Sequence, residues 1–211
     1  MIDAPDDGRR VAAVAGFVAV AGNVGGVVLL RGMPSAYRLA RIDEWASAVV
    51  AQPRATVAAA LAFTLGLIAL AGWALHLGRT VGTPLARAGA GLIAVTALFN
   101  AAGATTPIVQ ALHVGSGEAA AGRALLGLSL TLDALFNLGL GLGLILLAAA
   151  AKDFGWKRGL LAIAGLASLP VAGQAAVDRA ADLLVIAAPL WLAVVVVTSV
   201  SWLRTQAPRE H

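Results

Sequence analysis

Residues 123–150 form an apolar stretch whose interior contains a single charged residue, Asp133. A helix of this length is long enough to cross the roughly 30 Å hydrocarbon core of a bilayer. Ser129 lies four residues before Asp133 and Asn137 four residues after it, so the three side chains share one helix face. An ionisable group at membrane depth is costly, and Asp133 is therefore a candidate functional residue.

The charges of the chain are gathered in short clusters between long apolar runs. Charged residues make up 12% of the 211 residues and hydrophobic residues 60%, and the mean hydropathy is +0.87. Soluble domains carry roughly 25% charged residues. The pattern is typical of a polytopic helical membrane protein, and it predicts an all-α fold.

The apolar runs predict a single transmembrane domain, residues 1–211, built as a bundle of six helices. A short amphipathic helix is expected in the first loop, where Pro34-Ser35 has the form of a helix start with Ser35 as the N-cap. Tyr37 and Trp45 would anchor this helix in the membrane interface, and a lid over a cavity is its alternative role. The predicted spans cover residues of about 11–30, 55–75, 88–112, 124–150, 159–177 and 183–203.

The positively charged residues indicate an orientation. With six spans, both termini lie on one side of the membrane, and nine Lys and Arg residues fall on that side against six on the other. Because cytoplasmic loops are enriched in Lys and Arg, both termini are predicted to be cytoplasmic. The bias towards Ala, Gly, Val, Leu and Arg suggests a bacterial genome, so the expected location is a bacterial plasma membrane. The nine Lys and Arg residues on the side of the termini are Arg9, Arg10, Arg79, Arg87, Lys152, Lys157, Arg158, Arg204 and Arg209. The six on the other side are Arg31, Arg38, Arg41, Arg54, Arg123 and Arg179.

Several chemistries are excluded by residue type and position. The chain has no cysteine, so disulfides, thiolate nucleophiles and iron–sulfur clusters are ruled out. His76 and His113 end spans on opposite sides of the membrane, which argues against a shared haem or a histidine metal site. The Arg residues flank apolar spans as membrane anchors do, so the net charge of +4 does not indicate a nucleic-acid partner. We predict no catalytic residue, no cofactor and no metal.

Polar side chains recur at similar depth in several spans. At a rise of ~1.5 Å per residue, Asp133, Asn100 and Asn23 all fall near the middle of their spans. Asn137 lies one turn from Asp133. We therefore predict a ligand-binding site made of Asp133, Asn137, Asn100 and Asn23, with a protonated Asp133 among the asparagines. The alternative, that these residues are only interhelical hydrogen-bond partners, stays open.

Prolines, glycines and a charged turn supply further expectations. Pro107 frees the carbonyl of Gly103, which then needs another donor or a polar cavity. Gly22 and Gly26 form a G-x-x-x-G that favours close helix contact, as do Gly139 and Gly143. The turn with Asp178 and Asp182 is expected to be solvated and paired with Arg179, with a surface cation site as the weaker alternative.

The first span reads RRVAAVAGFVAVAG, and the first loop contains YRLARIDEWA. In these motifs and in its layout the chain resembles uncharacterised small bacterial six-helix integral membrane proteins. The resemblance implies a six-helix layout with a longer first loop. It implies no catalytic residues and no activity.

Three functions are compatible with these features. The first is transport or small-ligand binding in a polar intramembrane pocket, with the bilayer as partner and a small ligand or cation at Asp133. The second is an accessory subunit that packs against another membrane protein or a second copy through Gly/Ala faces such as those of Gly22 and Gly139. The third is a membrane enzyme acting on a lipid or isoprenoid, with Asp133 as an acid.

Overall fold

The computed structural model of the chain describes residues 5–31, 33, 38–114 and 119–204. The described part is helical and contains no β-strand. The predictions for Ser35 and Tyr37 lie outside the described residues, as does the side chain of His113. The α-helices, in chain order, are α1 Pro5–Leu29, α2 Ile42–Ala51, α3 Pro53–Val81, α4 Pro84–Ala104, α5 Thr106–Val109, α6 Ala119–Ala150, α7 Trp156–Ser168 and α8 Leu184–Arg204.

Five helical stretches in the described part are long and apolar enough to cross a bilayer. They match the predicted first, second, third, fourth and sixth spans. The chain is therefore an all-helical protein of the multi-pass membrane class, as its apolar runs predict. The five are Asp7–Leu29, Pro53–Val81, Pro84–Leu112, Ala120–Ala150 and Asp178–Arg204.

The predicted span over residues 159–177 differs from the other five. Its α-helical part is α7, which is 13 residues long, and a 3-10 segment, Pro170–Ala175, follows. Pro170 has no backbone N–H to donate to the preceding turn, so the α-helical hydrogen bonds end there and the chain continues in 3-10 geometry. The length and the apolar character of the run are retained, but its continuity as an α-helix is lost.

This broken segment still connects the two ends of the bundle. Near its start, Arg158 Nε donates to the carbonyl oxygen of Ala148 at 2.8 Å, close to the end of α6. After it, Asp178 accepts a hydrogen bond from the backbone N–H of Ala40 in the first loop, at 3.3 Å. We call the end near Ala148 the termini end and the end near Ala40 the first-loop end.

Both ends of the described chain lie at the termini end. The imidazole of His76 in α3 packs edge-on against the ring of Trp202 in α8, with ring centroids 4.9 Å apart. A Cβ added to Gly8 of α1 would lie 3.6 Å from the same imidazole. The first and last helices therefore begin and end beside the same residue of α3.

Glycines bring pairs of helices close together. A Cβ at Gly22 of α1 would lie 2.5 Å from the carbonyl oxygen of Ala62 in α3, and one at Gly143 of α6 would lie 2.6 Å from that of Gly89 in α4. Neither position has room for a larger side chain. Gly139 also faces α4, where its Cβ would clash with Thr96. The close helix contacts predicted for these glycines occur within the chain itself.

In the third span, a side-chain hydroxyl replaces the backbone donor that Pro107 lacks. The hydroxyl of Thr106 donates to the carbonyl oxygen of Gly103 at 2.9 Å. This is the carbonyl that Pro107 deprives of its helical donor, so the need for another partner is met one residue before the proline.

The first loop contains the helix α2, ten residues long. Its Trp45 is only 6% exposed and packs with Val49 and with Leu126 of α6. The ring of Trp45 therefore packs against protein, because the apolar side of α2 faces α6. The position of α2 in the membrane interface, with Trp45 as its anchor, stays a prediction.

Candidate functional site

The carboxyl group of Asp133 is held by three amide side chains from three different elements. Asn100 of α4 donates to its Oδ1 at 2.8 Å, and Asn137, one turn further along α6, donates to its Oδ2 at 3.2 Å. Gln174, in the 3-10 segment after α7, also donates to Oδ2. The acid is thus the point at which α4, α6 and the broken segment are joined through polar groups.

The geometry leaves Asp133 with spare capacity as an acceptor. A carboxylate offers about four lone-pair positions, and the three amides use three of them. Asn137 also donates to the backbone carbonyl of Asp133 at 2.9 Å, which fixes the amide on the same face of α6. One further donor can therefore reach the carboxyl group without displacing a protein side chain.

Asn23 does not bind Asp133. Its amide nitrogen donates to the carbonyl oxygen of Ala19, one turn back on α1, at 2.8 Å, and it lies against Gly66 of α3. The predicted proximity of Asn23 to the acid is therefore only partly right: Asn23 lines the same cavity as Asp133, but its own helix satisfies its N–H group. A backbone acceptor within reach on the same helix competes well with a side chain on another helix.

Asp133 lies at the polar floor of a cavity of about 580 Å³. This volume is within the range of about 300–1,000 Å³ that is usual for small-molecule sites. The cavity is lined mainly by apolar side chains from α1, α3, α4, α6 and α8. Its polar lining at membrane depth consists of Asn23, Asn100, Ser129, Asp133 and Asn137.

The first-loop end of the cavity is covered by α2 and by an ion pair. Trp45 of α2 lines the cavity, and so do Arg38 and Asp182, whose side chains form a salt bridge with each other. The expectation that the turn at Asp182 pairs with Arg179 is not what the structure shows. Arg38 reaches across from the first loop because Asp178 also holds that loop through the N–H of Ala40.

Gln174 is the site residue that the sequence reasoning missed. It is fully buried, and its amide oxygen has no hydrogen-bond partner in the described part of the chain. The depth of Gln174 along its span could have indicated its role. Counted at ~1.5 Å per residue from the termini end, Gln174 lies about 27 Å from the start of α7 and Asp133 about 26 Å from the end of α6. An amide at matching depth in a neighbouring span was the available sign.

A second set of buried polar atoms lies at the termini end. The indole N–H of Trp73 and the hydroxyl of Ser199 are fully buried and have no hydrogen-bond partner among the described residues. A Cβ on Gly16 would touch both residues, so α1, α3 and α8 meet there. Unlike Asp133, neither Trp73 nor Ser199 lines the cavity of about 580 Å³.

The chain matches no protein-family model, no curated protein and no solved structure. The fold and the site therefore define a class: a helical, multi-pass membrane protein with an acid at the floor of a largely apolar cavity.

Proposed function

We propose that the protein binds a small ligand inside the bilayer, in the cavity floored by Asp133, and that this binding serves transport. The observation that carries the proposal is that Asp133 is held by three amide side chains and still lines a cavity of about 580 Å³. If these residues served only as interhelical hydrogen-bond partners, their side chains would be expected to bury Asp133 completely. Here part of the surface of Asp133 stays accessible, and an acceptor position remains for a ligand.

The proposed membrane arrangement has six crossings. The support for the sixth is the segment formed by α7 and Pro170–Ala175: near its start Arg158 contacts Ala148 at the end of α6, and three residues after its end Asp178 contacts the first loop. Thirteen residues at ~1.5 Å and six at ~2.0 Å give about 32 Å, close to the thickness of the hydrocarbon core. In this arrangement α2 lies at the interface on top of α6, both termini are cytoplasmic, and the membrane is a bacterial plasma membrane.

The two other functions have less support. An accessory subunit that docked through Gly22 or Gly139 would need those positions free, but α3 and α4 of the same chain occupy them. An enzyme would need a second titratable group beside Asp133. Among the described residues that line the cavity, the other such groups are Arg38 and Asp182, which lie at the first-loop end and pair with each other.

Native mass spectrometry of the protein released from mild detergent tests the proposal. We expect the wild-type chain to carry a bound small molecule and Asp133→Asn to lose it while keeping its thermal stability. The matched control is Asp153→Asn, which alters an exposed acid in the turn after α6 and should retain the molecule. A wild-type protein without any bound molecule, or equal occupancy in Asp133→Asn, would contradict a ligand at this site.

A further inference from the structure

The floor of the cavity is rich in hydrogen-bond acceptors. In the described part of the chain, the side-chain oxygens of Asn23, Asn100 and Asn137 accept no hydrogen bond, because these residues use their amide N–H groups towards Asp133 or the backbone. Together with the carboxyl group of Asp133 they present oxygen to the cavity. A ligand that brings donors is therefore matched to this floor, and one that brings further acceptors is not.

The charge at the floor of the cavity also favours a ligand that is a donor, because the charged residue there is the acid Asp133. Arg38 is the cationic residue among the described lining residues, and its guanidinium is engaged by Asp182 at the first-loop end. Among the residues that the structure describes, Asp133 therefore has no basic side chain as a partner at its own depth. Acids within membranes are generally paired with a positive group or hydrogen-bonded in a cavity, so a cationic group of a ligand would supply the missing partner.

The cavity opens sideways between α1 and α8. Val28 of α1 and Val185 of α8 line the cavity and yet are 60% and 77% exposed, so they form the rim of an opening. Closer to the termini end the two helices are in contact, since a Cβ on Gly16 would overlap Ser199 of α8. Val28 lies one residue before the end of α1 and Val185 one residue after the start of α8, so in a bilayer this opening lies at the first-loop end, where the headgroups meet the hydrocarbon. A ligand that uses this route must dissolve in the membrane.

Resting on the proposed ligand cavity, we propose that the ligand is a lipophilic amine: an apolar body with a protonated amino head. It enters from the bilayer between α1 and α8 and places its ammonium group against Asp133, within reach of the free amide oxygens. The apolar body lies among the aliphatic and aromatic side chains of the lining, where Phe63, Phe136 and Trp191 supply the largest surfaces. If Asp133 is protonated before binding, as its sequence context predicts, a neutral amine arriving from the bilayer takes that proton, which gives the ammonium–carboxylate pair with no other proton acceptor and no covalent step.

Three probes that share one tail separate the head-group chemistries: dodecylamine, dodecanol and dodecanoate, each presented in phosphatidylcholine nanodiscs. Occupancy is read by native mass spectrometry at equal probe content of the membrane. Because a charge-assisted hydrogen bond is about twice as strong as a neutral one, we expect dodecylamine to bind about tenfold more tightly than dodecanol. Dodecanoate should bind weakest. Asp133→Asn should lower the affinity for dodecylamine about tenfold and leave that for dodecanol nearly unchanged. Asp153→Asn should change neither.

The route is tested by narrowing the opening. Val28→Phe adds bulk at the rim, whereas Val14→Phe adds the same bulk to an exposed position of α1 that does not line the cavity. Association of dodecylamine, followed by the change in intrinsic tryptophan fluorescence to which the cavity residues Trp45 and Trp191 contribute, should become severalfold slower in Val28→Phe and stay at the wild-type rate in Val14→Phe. Equal rates in the two variants would overturn access through the opening between α1 and α8.

The outcomes distinguish this inference from the proposed function. If dodecanol or dodecanoate binds as tightly as dodecylamine, or if Asp133→Asn leaves amine binding intact, the amine head is wrong while a cavity ligand remains. If no probe binds and the protein also carries no molecule from the cell, the ligand cavity itself is wrong and both proposals fail.

Discussion

Helices α1 and α8 face each other in two different ways along their length. Near the termini end, Gly16 allows α8 to approach so closely that an added Cβ would overlap Ser199 and touch Val195. About three turns further along α1, Val24 and Val28 face Val185 and its neighbours across the cavity instead of packing on them. One pair of helices therefore forms both a tight contact and the rim of an opening.

The same contrast holds for polar groups. At the termini end, the indole of Trp73 and the hydroxyl of Ser199 are sealed within the packing. At the cavity, Asp133 is hydrogen-bonded by three amides and remains accessible. The packed region supplies stability without a place for a ligand, and the open region supplies a binding site at the cost of lost helix contact. Four predictions, ordered from the largest expected effect to the smallest, test whether the two regions differ in this way.

The largest effect is expected from Gly16→Leu in the packed region. The new side chain would collide with Ser199, Trp73 and Val195, so the free energy of unfolding should fall by about 3 kcal/mol. Gly25→Leu on the same helix has open space around its Cβ and should change stability by less than about 0.5 kcal/mol. Equilibrium unfolding in detergent measures both. If Gly25→Leu lost as much stability as Gly16→Leu, the packing of α1 would not be tighter at Gly16 than at Gly25.

Asp133→Leu should have the next largest effect, at the floor of the cavity. It leaves the amides of Asn100, Asn137 and Gln174 without their acceptor, which costs roughly 1–3 kcal/mol for each group that stays unsatisfied. Because water or a rotated amide can relieve part of this, we expect a net loss of about 2 kcal/mol, and a much smaller loss for Asp133→Asn. Unfolding of both variants is the measurement. A Leu variant as stable as the wild type would mean that the amides do not depend on Asp133.

Adjacent residues of α8 offer a direct comparison of packing with cavity. Ala187 is 1% exposed and lies in the packed core, whereas Ala188 lines the cavity. Ala187→Leu should therefore lower stability by about 1–2 kcal/mol, while Ala188→Leu should be nearly neutral and should lower ligand occupancy. Thermal unfolding and native mass spectrometry give the two readouts. If Ala188→Leu lost more stability than Ala187→Leu, the cavity would not lie on the side of α8 that carries Ala188.

The smallest effect is expected for Asp182→Asn at the first-loop end. It removes the salt bridge with Arg38, and both side chains are more than a third exposed, so the loss should be about 0–1 kcal/mol. The difference from the wild type should shrink further as salt is added, because exposed ion pairs are screened. Urea unfolding at low and high ionic strength tests this. A loss that is large or independent of salt would indicate that the pair is buried and helps to close the cavity.

Most of the helices were predictable because bilayer-length apolar runs are a local property of the sequence. Five of the predicted spans match helices that are long and apolar enough to cross a membrane. The run over residues 159–177 has the same apolar character, but Pro170 ends its α-helix at Ser168. Whether a proline kinks a helix or ends it depends on which neighbours accept the freed backbone groups, and those neighbours belong to other helices.

The sequence by itself determined the nature of the site: an acid at membrane depth on α6, with Asn137 one turn away on the same face. That follows from the period of the helix, which needs no knowledge of any other element. Only the tertiary structure decided the partners. It brought Asn100 and Gln174 to the carboxyl group, kept Asn23 on the backbone of its own helix, and left space between α1 and α8. Depth along each helix can be counted from the sequence, but the rotation and spacing of helices are set by packing between distant residues, with glycines permitting contact at one level and larger side chains preventing it at another.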